Sequence, residues 1–183
     1  RNADIFTPML KLFSSEYANQ VAYDSIQVHG GSGFMKEYAC ERLYRDARIL
    51  TIYEGTSQLQ VVAAIRGIGN GSYLKRIEEY DAMPLKPELE ALRNKLRAMT
   101  EDYKKIFETV SAFGSTSEEY DFNARRMVES MGYIVMGYLL LQDANRCERF
   151  QRSCEVMIGI GQAEIAKNLA YVTNFTSDVL SEY

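Results

Sequence analysis

Two short stretches of the chain hold residue types that could do chemistry. The first is TIYEGTSQLQ, Thr51 to Gln60, in which one carboxylate, Glu54, stands between the aromatic Tyr53 and Gly55. Thr56 and Ser57 follow at what reads as a helix start. A carboxylate there can serve as a general base, or it can be an acid favoured by the positive end of the following helix. Thr56 and Ser57 can cap that helix, hydrogen-bond a ligand, or do both. The second stretch is HGGSGF, His29 to Phe34. Its three glycines either stop a helix with left-handed residues or expose backbone N–H groups to a flat or phosphorylated ligand, and the stretch alone weighs the two equally. A dinucleotide loop is excluded, because the stretch follows a helical pattern rather than a strand and lacks the last glycine of GxGxxG.

The elements that must position these residues are helical throughout. Apolar residues fall at helical spacing almost everywhere, and period-2 alternation is scarce. The fold class expected is therefore all-α. Met9, Phe13, Tyr17 and Val21 mark one face of a helix running from Ile5 to about Val28, which the glycines of HGGSGF stop. Shorter helices are predicted at about Glu37 to Arg48 and Ser57 to Arg66, and GIGNGS then breaks the pattern. Beyond it, Leu89, Leu92, Leu96, Met99, Tyr103, Ile106 and Val110 alternate spacings of three and four, with Pro87 suited to the first turn and Gly114 to the stop. Ser115 with Glu118, or Thr116 with Glu119, can form a capping box for the next helix, whose stripe runs from Tyr120 through Met127, Met131 and Ile134 to Leu141. A third long helix is predicted from about Cys154 to Leu180. Short loops between long helices imply an antiparallel array, with the apolar stripes as its core rather than as a cofactor box.

Composition narrows the function. With 183 residues and 46% hydrophobic content the chain can bury a sizeable core. A formal charge of -4 and a pI near 5.2 give no electrostatic reason for nucleic acid or an anionic membrane as partner. No apolar run approaches the roughly 20 residues of a spanning helix, and the first residues lack the apolar core of a signal peptide. Cys40, Cys147 and Cys154 are odd in number and have no CxxC spacing, which implies reduced thiols and a cytoplasmic location. His29 is the one histidine, so no metal site is expected. The first residue is not methionine, as expected of a processed chain or of a piece of a longer one.

From Tyr23 to Gln60 the chain reads YDSIQVHGGSGFMKEYACERLYRDARILTIYEGTSQLQ. It contains Q-x-x-G-G-x-G, E-x-x-x-R-D-x-[KR]-I and Y-E-G-T-S, in order and closely spaced, and so resembles the signature region of the acyl-CoA dehydrogenases. These are flavoenzymes that desaturate the α,β bond of acyl-CoA thioesters. The resemblance covers roughly residues 3 to 68, and the remainder is similar to the helical C-terminal extension of some members. It implies that residues 1–70 belong to the family's C-terminal four-helix domain and residues 71–183 to the extension, and that a complete subunit carries two further domains.

The roles implied are these. Glu54 falls on the catalytic base, with Tyr53 and Gly55 expected to give it a dry site and burial expected to raise its pKa. Gly55 would lie against the acyl-CoA thioester. Thr56, Ser57 and Gln58 would bind FAD, as would Gln27, Val28, His29, Gly30 and Gly31, the latter group toward the adenosine-pyrophosphate of an FAD held largely by a neighbouring subunit. Arg45 and Asp46 are expected to be structural. The implied partners are an acyl-CoA substrate, an electron-accepting flavoprotein and further copies of the chain in a homo-oligomer. Two alternatives stand beside this: an acyl-CoA oxidase, which reduces O₂ directly, and a helical assembly module inactive in isolation.

Overall fold

The computed structural model describes residues 2–181, and every regular element among them is helical, in line with the expected all-α class. The chain divides into two compact units, residues 1–64 and 65–183.

In the first unit, α1 (Asn2–His29) packs against α2 (Gly31–Phe34), against α3 (Ala39–Ala47) and against the 3-10 turn Arg48–Thr51 that continues α3. Met9, Leu12 and Ser15 of α1 and Cys40 of α3 are buried. Asn19 ties α1 to the end of α3, its Nδ2 donating to Ala47 O (2.9 Å) as well as to Ser15 O (2.8 Å). That bond satisfies one of the carbonyls that a helix C-terminus leaves without an intrahelical partner. The predicted glycine stop is real: Gly30, at φ 59° and ψ -144°, occupies a region closed to other residues. Gly33 serves packing instead, since a Cβ there would stand 2.5 Å from Ile26 O of α1. Helix α4 (Ser57–Gly69) begins in this unit and runs three residues past the predicted end.

In the second unit, α5 (Ser72–Asp81) is an element the sequence pattern did not reveal. It buries only Tyr73 and Ile77, too few apolar positions to show a period. Helix α6 (Glu90–Ser111) follows a 3-10 turn opened by Pro87, α7 (Glu118–Arg146) follows Gly114 at φ 91°, and α8 (Gln151–Thr173) returns across both. The predicted stripes are the core: Leu92, Leu96, Met99, Tyr103, Ile106 and Val110 of α6 and Met127, Met131, Ile134, Tyr138 and Leu141 of α7 are buried together with Cys154, Ile158, Ile165 and Val172 of α8. Helix α7 is buried on more than one face, because α5, α6 and α8 all pack on it.

Boundaries in this unit also differ from expectation. The cap of α7 is Ser117, whose Oγ accepts from Tyr120 N at 3.1 Å, so neither predicted capping box forms. Helix α8 stops at Thr173, and a short α9 (Asp178–Ser181) follows. Between them Phe175 stacks on Phe122 and meets Phe113 edge-on, which holds the turn on the bundle.

Candidate functional site

The turn from Ile52 to Thr56 carries the candidate base. It leaves the 3-10 turn with Ile52 N and Tyr53 N both donating to Ile49 O, at 2.9 and 3.0 Å. The backbone then enters the left-handed region twice in succession, Glu54 at φ 50° and Gly55 at φ 95°. Gly55 is suited to that conformation, whereas Glu54 is strained by it, at a cost of order 1–3 kcal/mol. Among the described residues Glu54 is the single non-glycine with a positive φ. Thr56 then caps α4, its Oγ1 accepting from Leu59 N at 3.3 Å and its carbonyl from Gln60 N at 3.0 Å.

The side chain of Glu54 is exposed, and Tyr53 is itself 45% exposed. The expectation that Tyr53 and Gly55 enclose the carboxylate in a dry site is therefore corrected. A turn of five residues has too little apolar area to exclude water from a carboxylate at its crest. The position two residues ahead of the Thr56 cap also keeps Glu54 near the positive end of α4.

Beside this turn lies an open recess of about 510 Å³ lined by Thr56, Ser57 and Gln58 with Glu16, Asn19, Arg48, Thr51 and Ile52. Ser57 Oγ is buried and has no hydrogen-bond partner among the described residues. A buried hydroxyl left so is costly. Arg48 Nη1 donates to Thr51 Oγ1 at 2.6 Å on the same wall. Sequence reasoning missed Glu16, Asn19, Arg48 and Thr51, and no local pattern marked them, since Glu16 and Asn19 come from a helix some forty residues earlier.

The second predicted segment stands apart from the first. Gln27, Val28, His29, Gly30 and Gly31 are all exposed at the junction of α1 and α2, with Val28 85% exposed. His29 Nδ1 lies 2.7 Å from Ser25 O. At Gly31 a Cβ would meet nothing within 4 Å, so packing does not require this glycine. Gln27 lines a separate recess of about 650 Å³ with Tyr23, Ile26, Phe34, Met35 and Tyr44 and with the charged Lys36, Glu37, Glu41 and Arg45 on its walls. Glu54 and Gly55 line neither recess. Among the described residues no group of three or more His, Cys, Asp or Glu side chains could hold a metal ion, and no helix is long and apolar enough to cross a membrane.

A family model described as acyl-CoA dehydrogenase, C-terminal domain, matches residues 1–69, and a second, described as acyl-CoA dehydrogenase C terminal, matches residues 69–180. The chain belongs to the acyl-CoA dehydrogenase family. Within that family it is 50% identical over 60 residues to the caffeyl-CoA reductase–Etf complex subunit CarC of Acetobacterium woodii. That stretch is 33% of this chain and 16% of the relative, so the chain spans only a small part of the relative's length. A solved acyl-CoA dehydrogenase family protein from Porphyromonas gingivalis is 40% identical with a TM-score of 0.57, over 62% of this chain and 98% of that one. An acyl-CoA dehydrogenase complexed with FAD from Bacillus anthracis is 22% identical, with a TM-score of 0.65 over 96% of this chain and 34% of that one, and shares the fold.

The features of this acyl-CoA dehydrogenase chain fit the flavin cofactor of the family. The Thr56 and Gln58 side chains present polar groups beside a helix start, and the backbone at Gly31 is unobstructed, as a phosphorylated group would need.

Proposed function

We propose that this chain is the base-bearing C-terminal part of an FAD-dependent acyl-CoA dehydrogenase subunit, in which Glu54 removes the α-proton of an acyl-CoA thioester. The observation that carries the reading is the left-handed Glu54 at the crest of its turn. A carboxylate kept in a strained conformation that no packing within the turn demands is the pattern of a residue held for chemistry. In the reaction the carboxylate takes the α-proton as the Cα–Cβ double bond forms and a hydride leaves the β-carbon. FAD, when bound, supplies the acceptor for that hydride. Gly55, having no side chain, leaves room for the thioester beside the carboxylate. Thr56, Ser57 and Gln58 hold the flavin at the start of α4, while Gln27, Val28, His29, Gly30 and Gly31 serve the adenosine-pyrophosphate of an FAD bound mainly by another copy. The exposure of the second segment, with Gln27 on a recess separate from that of Thr56, Ser57 and Gln58, supports that division between copies in a homo-oligomer. Desolvation of Glu54 falls to surfaces other than its own turn.

CarC, by its name, belongs to a reductase complex with Etf, which supports an electron-transferring flavoprotein as redox partner here. Residues 1–70 serve the site and residues 71–183 form a scaffolding extension. A second reading is favoured by the exposure of Glu54: the 183-residue chain alone is a helical assembly module without turnover. The experiment is the Glu54→Gln substitution in the complete subunit, assayed with an acyl-CoA panel and a chromogenic acceptor. Turnover should fall by about 10²- to 10⁴-fold with FAD and acyl-CoA still bound. Wild-type turnover in that variant would overturn the assignment of the base.

A further inference from the structure

The strained turn is fastened from both sides by side chains that lie outside it. Ahead of Glu54, Lys11 of α1 reaches across 39 positions of sequence and donates from Nζ to Leu50 O. The same ammonium lies 5.1 Å from the centroid of the Tyr53 ring, within cation–π range of the residue next to Glu54. Behind Glu54, Gln60 Nε2 donates to Gly55 O at 3.2 Å. The contact with Gly55 is close: a Cβ at that position would stand 2.6 Å from Gln60 Nε2 and would displace the amide. Lys11 and Gln60 thus bracket Tyr53–Gly55 and leave few ways for the backbone between them to relax.

We infer that Lys11 and Gln60 are positioning residues for Glu54, holding its backbone left-handed so that the carboxylate leaves the turn in one direction. The inference rests on the reading of Glu54 as base, and the physical case for it is a comparison of alternatives. A glutamate free to choose relaxes to negative φ, because the left-handed region costs an L-residue about 1–2 kcal/mol. Such a conformation persists only where the surroundings over-determine it. Within the turn, the backbone bonds to Ile49 O end at Tyr53 N, so the restraint on Glu54 and Gly55 must come from elsewhere. Lys11 supplies it on the entering side, through one hydrogen bond and one ring contact. Gln60 supplies it on the leaving side, one helical turn into α4. A plain capping role would explain either contact singly. It does not explain why both converge on the two residues that flank Glu54.

The test uses Lys11→Met, Lys11→Arg and Gln60→Leu in the complete flavoenzyme, with kcat and KM measured separately. A 1 Å misplacement of a reacting group can cost about 10²-fold in rate, so Lys11→Met and Gln60→Leu should each lower kcat by about one to two orders of magnitude with KM unchanged. Lys11→Arg, which keeps an N–H donor and a cation on the Tyr53 ring, should restore most of the loss. In the isolated 183-residue chain, the three-bond amide–Hα coupling and chemical shifts of Glu54 should move away from left-handed values in both disrupting variants while circular dichroism stays helical. Wild-type kcat in both variants, a loss confined to KM, or a left-handed Glu54 that survives both substitutions would overturn the inference. Should Glu54→Gln keep full turnover, the base reading fails by itself, and the coupling measurement still decides whether these two residues hold the turn. If Lys11→Met prevents folding of α1, Gln60→Leu carries the test.

Discussion

Replacing Glu54 with glycine should remove the candidate base and stabilise the first unit in the same step. Glu54 sits at φ 50°, in a region that costs an L-residue about 1–2 kcal/mol and glycine nothing. Against that relief, glycine loses more chain entropy on folding, at a cost of about 0.5–1 kcal/mol. The side chain is exposed, and removing it should change stability by no more than about 0.5 kcal/mol. The net expectation for Glu54→Gly is a gain of about 0.5–1 kcal/mol. Glu54→Gln keeps the strain and should be neutral, whereas Glu54→Val, branched at Cβ and left-handed, should lose more than about 1 kcal/mol. Urea-dependent hydrogen exchange at amides of α1 and α4 reads these differences in the 183-residue chain, apart from the helical bundle of the second unit. If Glu54→Gly is no more stable than Glu54→Gln, the turn stores no strain at this position. The central support for Glu54 as a residue held for chemistry would then be gone.

Two further outcomes concern the second unit. A Cβ on Gly137 would stand 2.4 Å from Leu96 Cδ2 and 3.6 Å from Ile158 Cγ1, so Gly137→Ala should lose about 1–3 kcal/mol to overpacking against about 1 kcal/mol gained in helix propensity. Chemical denaturation should show net destabilisation that Leu96→Val partly relieves, and additive effects of the two changes would contradict the contact. Asp81 of α5 accepts from Arg97 of α6 and, at 2.9 Å, from Tyr138 Oη of α7. Burial works to raise its carboxyl pKa, and the hydrogen bonds from Arg97 and Tyr138 with the charges of Arg97 and Arg93 outweigh it, so the carboxyl lies below its ordinary 3.8. The stability this contributes is present above that ordinary value and is lost as the pH falls through the lower folded one. Asp81→Asn should therefore destabilise the unit at neutral pH by about 1 kcal/mol, screened as the carboxylate is, and flatten its acid unfolding. An unchanged acid profile would refute this.

How much could be read before the fold was known follows from how local each signal is. A buried helix face repeats at three and four residues, so the stripes of α6 and α7 announced much of the core of the second unit, from Leu92 to Leu141. Helix α5 gave no such signal, because it buries two side chains, Tyr73 and Ile77, and owes its place to packing on α7. The cap of α7 lay among three consecutive hydroxyl residues, Ser115, Thr116 and Ser117. All three have the right chemistry, and the choice was made by where the helix must start to bury Tyr120.

For the candidate site the division is sharper. The order and spacing of HGGSGF, ERLYRDARI and YEGTS were enough for the family resemblance, because a motif is a property of adjacent residues. The same adjacency offered Gly30, Gly31 and Gly33 as a helix stop and Thr56 and Ser57 as caps. It could not distinguish Gly30, needed for its backbone angles, from Gly33, needed because Ile26 O lies where its Cβ would be, nor either from Gly31, which packing leaves free. Nor did it show that Glu54 would be left-handed and exposed, that Ser57 Oγ would be buried without a partner, or that Lys11 would reach Leu50. Each of these depends on α1 and the turn after α3 being brought together across about forty residues of chain. Local periodicity reports which face of an element is buried, while only the closed tertiary structure decides which distant side chains meet there and what conformation they impose.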